Sequence, residues 1–396
     1  MRILHITTTR SGSTGSTATS LKSLLISRGE QFKIAYSELD DNPLDGDIYI
    51  GNRLDHKVHA FLSRLLGLQG YFSILATKLF LRQVQDYSPD LVQLGNLHAN
   101  YINLPLLFKF LAQKKIPVVM ILHDCWFFTG KCTHFTVRKC GKWRQECHDC
   151  PALHEDNVSW FFDRTRKMFN DRMKWYKSLK SLTVVAVSEW ERNLALQSPL
   201  FKSANVTRVY NWIDTTIFKP ATQEEIQLVM TKYNLSSDKK YVISVGSGWS
   251  AVSTKTRDAV RFSSLLPEDY RLIIVGTADE SVFPDSVVHI PFVSEPFELA
   301  VLYSLSCAYI HFSVEDTFGK VIAEAMACGS VPIVFDSTAC GETAGPYGVV
   351  VCPHDVEAMV DALPIAEEPQ RCSRIRQYAL KHYSVPENIS IYWGKE

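Results

Sequence analysis

Residues 315–332 read Glu315-Asp316-Thr317-Phe318-Gly319-Lys320-Val321-Ile322-Ala323-Glu324-Ala325-Met326-Ala327-Cys328-Gly329-Ser330-Val331-Pro332. With the apolar run 307–312 before it and Val331–Phe335 at its end, this stretch spells strand, loop, helix and strand in quick succession. A helix opening near Gly319 aims free backbone N–H groups into the loop before it, which suits a phosphate, and Gly329 and Pro332 end that helix. Asp316 precedes the helix and Glu324 lies one turn inside it. Two carboxylates can therefore line one cleft at different depths and accept hydrogen bonds from sugar hydroxyls. The plainer alternative is a solvated loop acid beside a helix-surface glutamate.

Outward from this stretch the same alternation fills the chain. Arg2–Thr7 reads as a strand, Thr8–Ser16 as a small-residue loop and Thr17–Ser27 as a helix that Gly29 stops. Leu91–Leu94, Leu104–Gln113, Val118–Leu122 and Leu182–Val187 continue the pattern, with strands apolar on both sides as in a covered parallel sheet. After Asn211-Trp212-Ile213-Asp214 and Pro220 it restarts with Tyr241–Gly246, a helix near Arg257–Leu266, Arg271–Gly276 and Cys307–Phe312. The 396 residues suit two domains. The boundaries predicted are 1–205 and 206–396, with the last helix packing back on the first domain. The fold class is α/β, two Rossmann-like domains facing one cleft, and no period of 20–50 residues suggests a solenoid.

Apolar residues make up 46% of the chain and charged residues 21%, which excludes disordered and coiled-coil classes. The 42 basic residues balance the 42 acidic ones, so no global field draws the chain to nucleic acid, and none is expected as a partner. The N-terminal Met1-Arg2-Ile3-Leu4-His5-Ile6 turns polar at once, so the expectation is a first strand rather than a signal peptide. No uncharged apolar stretch approaches the roughly 18 residues of a membrane span. Ten cysteines in such a chain then point to reduced thiols and a cytoplasmic location.

The 315–332 stretch resembles the acid-x7-Glu motif of the retaining glycosyltransferases of family four, which have the two-domain GT-B fold. Phe318-Gly319 and Glu324-Ala-Met-Ala-Cys-Gly match that motif, and the frame sets its first carboxylate on Asp316 where the family usually has Glu. The resemblance implies that Glu324 binds the ribose of a nucleotide-diphosphate sugar while Asp316 faces the donor sugar, with Glu315 a rival for the second role. Phe318 and Gly319 join them on the donor side, and no cofactor is implied for the chemistry. Gly12 and Gly15, in the loop after the first strand, match the family's diphosphate-facing loop, although paired glycines also serve as ordinary turn residues. His123-Asp124 follows the strand Val118–Leu122, where the family places a histidine near donor sugar and acceptor; otherwise Asp124 holds His123. Ser188-Glu189-Trp190 and Asn211-Trp212-Ile213-Asp214 are similar to two further family stretches. One departure stands out. The family has an Arg and a Lys six residues apart after the first strand of its second domain, and here Lys255 fits the Lys while Trp249 occupies the Arg position. Arg257 or the backbone around Gly246 and Gly248 would have to compensate.

Cys132-x7-Cys140-x6-Cys147-x2-Cys150 forms a cysteine-rich insert near 125–151. Four thiolates suit a structural zinc ion, with His134 or His148 as substitutes for one of them; reduced loop cysteines are the alternative. Similar inserts accompany family members linked to surface polysaccharide assembly. The expected activity is retaining hexosyl transfer to a hydroxyl of a glycan or lipid-linked acceptor in surface polysaccharide biosynthesis, on the inner face of the membrane. A nucleotide-sugar epimerase and a non-catalytic binding subunit are the alternatives. Two basic segments, 56–85 and 159–180, interleave Lys and Arg with apolar residues, so each is either a peripheral membrane contact or a core-facing helix with a solvated back.

Overall fold

The computed structural model describes residues 1–10, 12–37, 46–279 and 281–394. Contacts divide them into two units, one of Met1–Val209 joined by the stretch from Glu387 onward, the other of Tyr210–Pro386.

The first unit is a parallel sheet of strands β1 (Arg2–Ile6), β2 (Gln31–Tyr36), β3 (Ile48–Tyr49), β4 (Leu91–Leu94), β5 (Val118–Leu122), β6 (Leu182–Ala186) and β7 (Asn205–Arg208). Their order is β3-β2-β1-β4-β5-β6-β7. Every residue of β4 and β5 is buried, as expected of strands covered on both faces. Helices α1 (Gly12–Ser27), α2 (Arg53–Leu66), α3 (Ile74–Tyr87), α4 (Leu104–Lys114), α5 (Thr165–Ser178) and α6 (Glu189–Ala195) accompany the sheet. Asn103 caps α4 by accepting from the Leu106 N–H at 3.0 Å. The stretch from Glu387 returns to this sheet: Gln93 Nε2 donates to the Tyr392 carbonyl at 2.6 Å, and Asn388 Nδ2 to the Arg208 carbonyl at 3.0 Å.

The second unit holds β8 (Lys240–Val245), β9 (Tyr270–Val275), β10 (Val287–Ile290), β11 (Ala308–His311), β12 (Val331–Phe335) and β13 (Val349–Val351) in the order β10-β9-β8-β11-β12-β13, again all parallel. Its helices include α7 (Gln223–Lys232), α8 (Thr254–Leu265), α9 (Pro296–Leu305), α10 (Lys320–Ala327) and the long Pro369–Tyr383. Both sheets follow one rule: strands run outward from the first in one direction, then the chain crosses back and continues on the other side. That reversal opens a crevice outside the carboxyl ends of the strands, between β1 and β4 in the first sheet and between β8 and β11 in the second. No helix among the described residues is long and apolar enough to cross a membrane.

Candidate active site

The second unit gathers Lys255, Asp316 and Glu324 around its own switch point. β8 leads through residues 246–253 to α8, which carries Lys255, and β11 leads through Asp316 to α10, which carries Glu324. Gly319 is the hinge of that second connection. Its φ is +78°, and a Cβ there would meet Ile322 Cδ1 at 2.6 Å, so glycine alone fits the turn into α10. Phe318, predicted on the donor side, is 1% exposed. Its ring packs 5.3 Å from Tyr383 and 6.0 Å from Tyr210, so its side chain serves the core and only its backbone is left for a ligand.

Asp316 is held on three sides. Its N–H donates to Thr338 Oγ1 at 3.0 Å, its carbonyl accepts from the Ala339 N–H at 3.2 Å, and its Oδ2 lies 3.1 Å from His311 Nε2. His311 in turn meets the Tyr309 hydroxyl through Nδ1 at 3.0 Å. Burial opposes a charge on this imidazole, but Tyr309, Cys340 and the Asp316 carboxylate outweigh it and raise its pKa well above the ordinary value. The His311 contact orients Asp316, whose side chain stays about a third exposed. Nothing in the motif announced this relay, because His311 ends an otherwise apolar strand. Glu324 is 8% exposed, and burial, only partly opposed by Lys320 one turn earlier, pushes its pKa from 4.5 up to about 7.

Trp249, at the position where an Arg was expected, is buried. Its indole N–H donates to the carbonyls of Gly246 at 3.1 Å and Val275 at 3.3 Å, and its ring carries the Lys255 ammonium 4.7 Å from the centroid. Lys255 also donates to the Ser247 carbonyl. Burial lowers the pKa of this lysine while Asp316 pulls the other way. Trp249 is thus a platform for the remaining cation rather than a second charge. Arg257, the suggested substitute, turns to Thr254 Oγ1 at 3.2 Å on the helix surface.

The predicted residues of the first unit lie on its own sheet. Gly12 and Gly15 fall inside α1, which begins at Gly12, not in a loop reaching to Ser16 as predicted. Buried Ala18, Leu21 and Leu25 anchor that helix against the sheet, overriding the low helix propensity of its Gly, Ser and Thr residues. A Cβ on Gly15 would meet the Arg10 backbone at 2.2 Å. His123 follows β5 and is half-buried. Its neighbour Asp124 does not depend on it: Oδ1 caps the following turn by accepting from Trp126 N–H at 2.8 Å, and Oδ2 pairs with His98 Nε2 at 2.8 Å. Burial disfavours ionisation of Asp124, but His98 and the Trp126 N–H carry its pKa below the ordinary value. His98 is a second histidine that the sequence reading passed over, since 26 residues separate it from its partner. Ser188 caps α6 through Glu191 N–H at 3.1 Å, and Asp214 closes a turn on Thr216 N–H at 2.9 Å.

Cys132, Cys140, Cys147 and Cys150 line one cavity of about 20 Å³ together with Lys131, Lys142 and Trp143. As placed, no three His, Cys, Asp or Glu side chains among the described residues form a ready metal-ligating cluster. The two basic segments separate in character. In 159–180, the helical face with Phe169 and Tyr176 is core, packed on Phe108 and Phe201, which favours the second of the two readings, a core-facing helix with a solvated back. Trp160, Phe161 and Phe162, just before it, are exposed, as are Leu54, Val58 and Phe61 on α2 and Ile74, Leu75 and Leu79 on α3.

Two doubly wound parallel units, the second with a carboxylate-bearing glycine turn at its switch point, define a glycosyltransferase of the GT-B fold. The chain belongs to glycosyltransferase family 4, whose family model matches residues 15–217; a second model, glycosyl transferases group 1, matches residues 230–382. No curated protein matches the sequence. Among solved structures it is similar to sucrose-phosphate synthase from Thermosynechococcus elongatus, at 16% identity and TM-score 0.66, covering 97% of this chain and 95% of that one. It is also similar to Anabaena HepE in complex with UDP and glucose, at 14% identity and TM-score 0.64, with 97% and 96% covered. WaaG, a glycosyltransferase involved in lipopolysaccharide biosynthesis, aligns at 13% identity and TM-score 0.65, with 99% and 100% covered.

Proposed function

We propose that this glycosyltransferase takes a sugar from a nucleotide-diphosphate donor and adds it, with retention of anomeric configuration, to a hydroxyl of a lipid-linked glycan in surface polysaccharide synthesis. The observation that carries this reading is the grouping of Lys255, Asp316 and Glu324 on the two connections that flank one switch point. Glu324 accepts hydrogen bonds from the ribose. Lys255 and the N-terminus of α10 meet the diphosphate, whose charge grows as the anomeric C–O bond breaks. Asp316, oriented by His311, faces the donor sugar. The acceptor hydroxyl then bonds to the anomeric carbon on the face the phosphate leaves, and its proton passes to a phosphate oxygen. No protein nucleophile is assigned, so the residues act by positioning and by stabilising charge. That HepE was solved with UDP and glucose, and that WaaG acts in lipopolysaccharide biosynthesis, supports the donor class and the acceptor class respectively.

The exposed apolar residues of α2 and Trp160–Phe162, together with those of α3, support a lipid-linked acceptor. Phe61 and Trp160 meet edge to face at 5.7 Å, and Trp160 N–H donates to the Arg64 carbonyl at 2.7 Å, which joins the apolar residues of α2 and the loop into one patch. Arg53, Lys57, Arg64, Lys78 and Arg82 belong to the same helices. Apolar side chains that enter lipid beside cations that meet anionic headgroups fit a peripheral contact with the inner face of a cytoplasmic membrane.

Lys255→Ala tests the donor assignment. A charge-assisted contact to an anion contributes about 1.5–3 kcal/mol, so calorimetry should show nucleoside-diphosphate affinity falling by roughly ten- to a hundredfold. Unchanged affinity would remove Lys255 from the site.

A further inference from the structure

We propose that Cys132, Cys140, Cys147 and Cys150 hold a structural zinc ion that pins the insert of the first unit, an assignment independent of the transfer reaction. The chain brings all four sulfur-bearing residues, spread over residues 132–150, to the wall of a single cavity of about 20 Å³, room for one small ion and little else. Four cysteines lining one cavity supply the number and kind of ligands that a closed four-thiolate structural zinc takes.

Three features of the surroundings fit a thiolate cluster better than packed neutral thiols. Gly130 N–H donates to Cys147 Sγ at 3.2 Å, the kind of backbone support a metal-bound sulfur receives from its outer shell. This approach requires glycine, because a Cβ at 130 would stand 2.8 Å from Cys147 Cβ and 3.0 Å from the Thr165 carbonyl. Four thiolates around a divalent ion carry two net negative charges, and two lysines line the same cavity. Lys131, 2% exposed, donates to the carbonyls of Ala152 at 2.8 Å and Leu153 at 2.9 Å, while Lys142 donates to those of His148 at 3.1 Å and Asp149 at 2.7 Å. A buried ammonium served by backbone carbonyls is costly unless negative charge lies nearby; Asp163 supplies part of it, and a thiolate cluster would supply more. Phe135 and Trp143, with ring centroids 4.8 Å apart, close the apolar side, and Trp143 Nε1 donates to the Cys140 carbonyl at 3.0 Å. As placed, the sulfurs do not form a ligating cluster among the described residues, so loading requires side-chain rotation at these cysteines.

The insert between Phe128 and Thr165 follows the 3-10 turn Cys125–Phe128 and holds one more, Lys142–Arg144, as its regular structure among the described residues. An ion there ties together segments that the sheet does not reach, and its binding energy adds to folding. The full chain, purified under reducing conditions without added metal, should contain about one zinc per molecule by elemental analysis. Titration with a mercurial should release that zinc in step with modification of four thiols, and Co(II) exchanged into the site should show thiolate-to-metal charge transfer with the intense d–d bands of a tetrahedral centre. Cys147→Ser should lose the metal, and Cys352→Ser, which changes an exposed cysteine of the other unit, should keep it. Because Cys147→Ser can fail to fold, the unmodified chain decides the matter. Zinc-free protein with four freely titrating thiols, disulfides among the four residues, or bound cobalt lacking thiolate charge transfer would each overturn the site without touching the glycosyltransferase reading.

Discussion

At Glu324 burial raises a carboxyl pKa from 4.5 to about 7, on the order of 3 kcal/mol against the ionised form. The sign follows from linkage. With the folded pKa above the unfolded one, the group's stabilising contribution is complete below about 4.5 and is lost as pH rises through 7. Glu324→Gln should therefore unfold at higher denaturant than the unmodified protein at pH 8 and about equally at pH 4, while losing transfer at both. Denaturant melts across that range check this, and a variant destabilised equally at all pH values would contradict it. Asp316, Glu324 and Lys255 could be proposed from the sequence because each lies in a short local pattern, and Lys255→Ala and Glu324→Gln test the roles of two of them. His311 and His98 could not, since what gives them meaning is a partner set by the fold. Trp249 was legible as a departure, but its use as a platform beneath Lys255 needed the turn at Gly246 to be seen.

Strands buried on both faces, such as Val118–Leu122 and Val331–Phe335, read directly because their apolar runs have no other economical home. Short or mixed strands, Asn205–Arg208 among them, offered no such run. The start of α1 was misplaced for the opposite reason: tertiary contacts at Leu21 and Leu25 hold a helix that local propensity disfavours. The basic segments show why amphipathic pattern alone cannot sort an exposed apolar face from a core-facing one. Tyr176 on α5 is 4% exposed, whereas Leu75 on α3 is 70% exposed. From that difference we expect the unmodified chain to float with anionic vesicles and to be released by salt. A Leu54→Ser, Leu75→Ser, Phe161→Ser variant should stay in solution while keeping its nucleoside-diphosphate affinity. Equal flotation of both proteins would remove this surface from the account.

Two units were legible from the restart of the strand-helix pattern after Pro220, and the resemblance carried by residues 315–332 led to the family that the family model confirms. The division between the units falls after Val209, and the stretch from Glu387 belongs with the first sheet through Gln93 and Arg208, pairings nearly three hundred and nearly two hundred residues apart that no local pattern encodes. Donor sugar and linkage stay illegible at this scale, because one fold serves many donors through a few contacting side chains. The central claim is retaining transfer from a nucleotide sugar. Incubating the full chain with a panel of nucleotide-diphosphate sugars and extracted lipid-linked oligosaccharide, and reading the new glycosidic bond by NMR, tests it most directly. The expected product is a lengthened glycan whose new linkage keeps the donor's anomeric configuration, with no lengthened glycan from Glu324→Gln. An inverted linkage, an epimerised donor or the absence of product with every donor would contradict it.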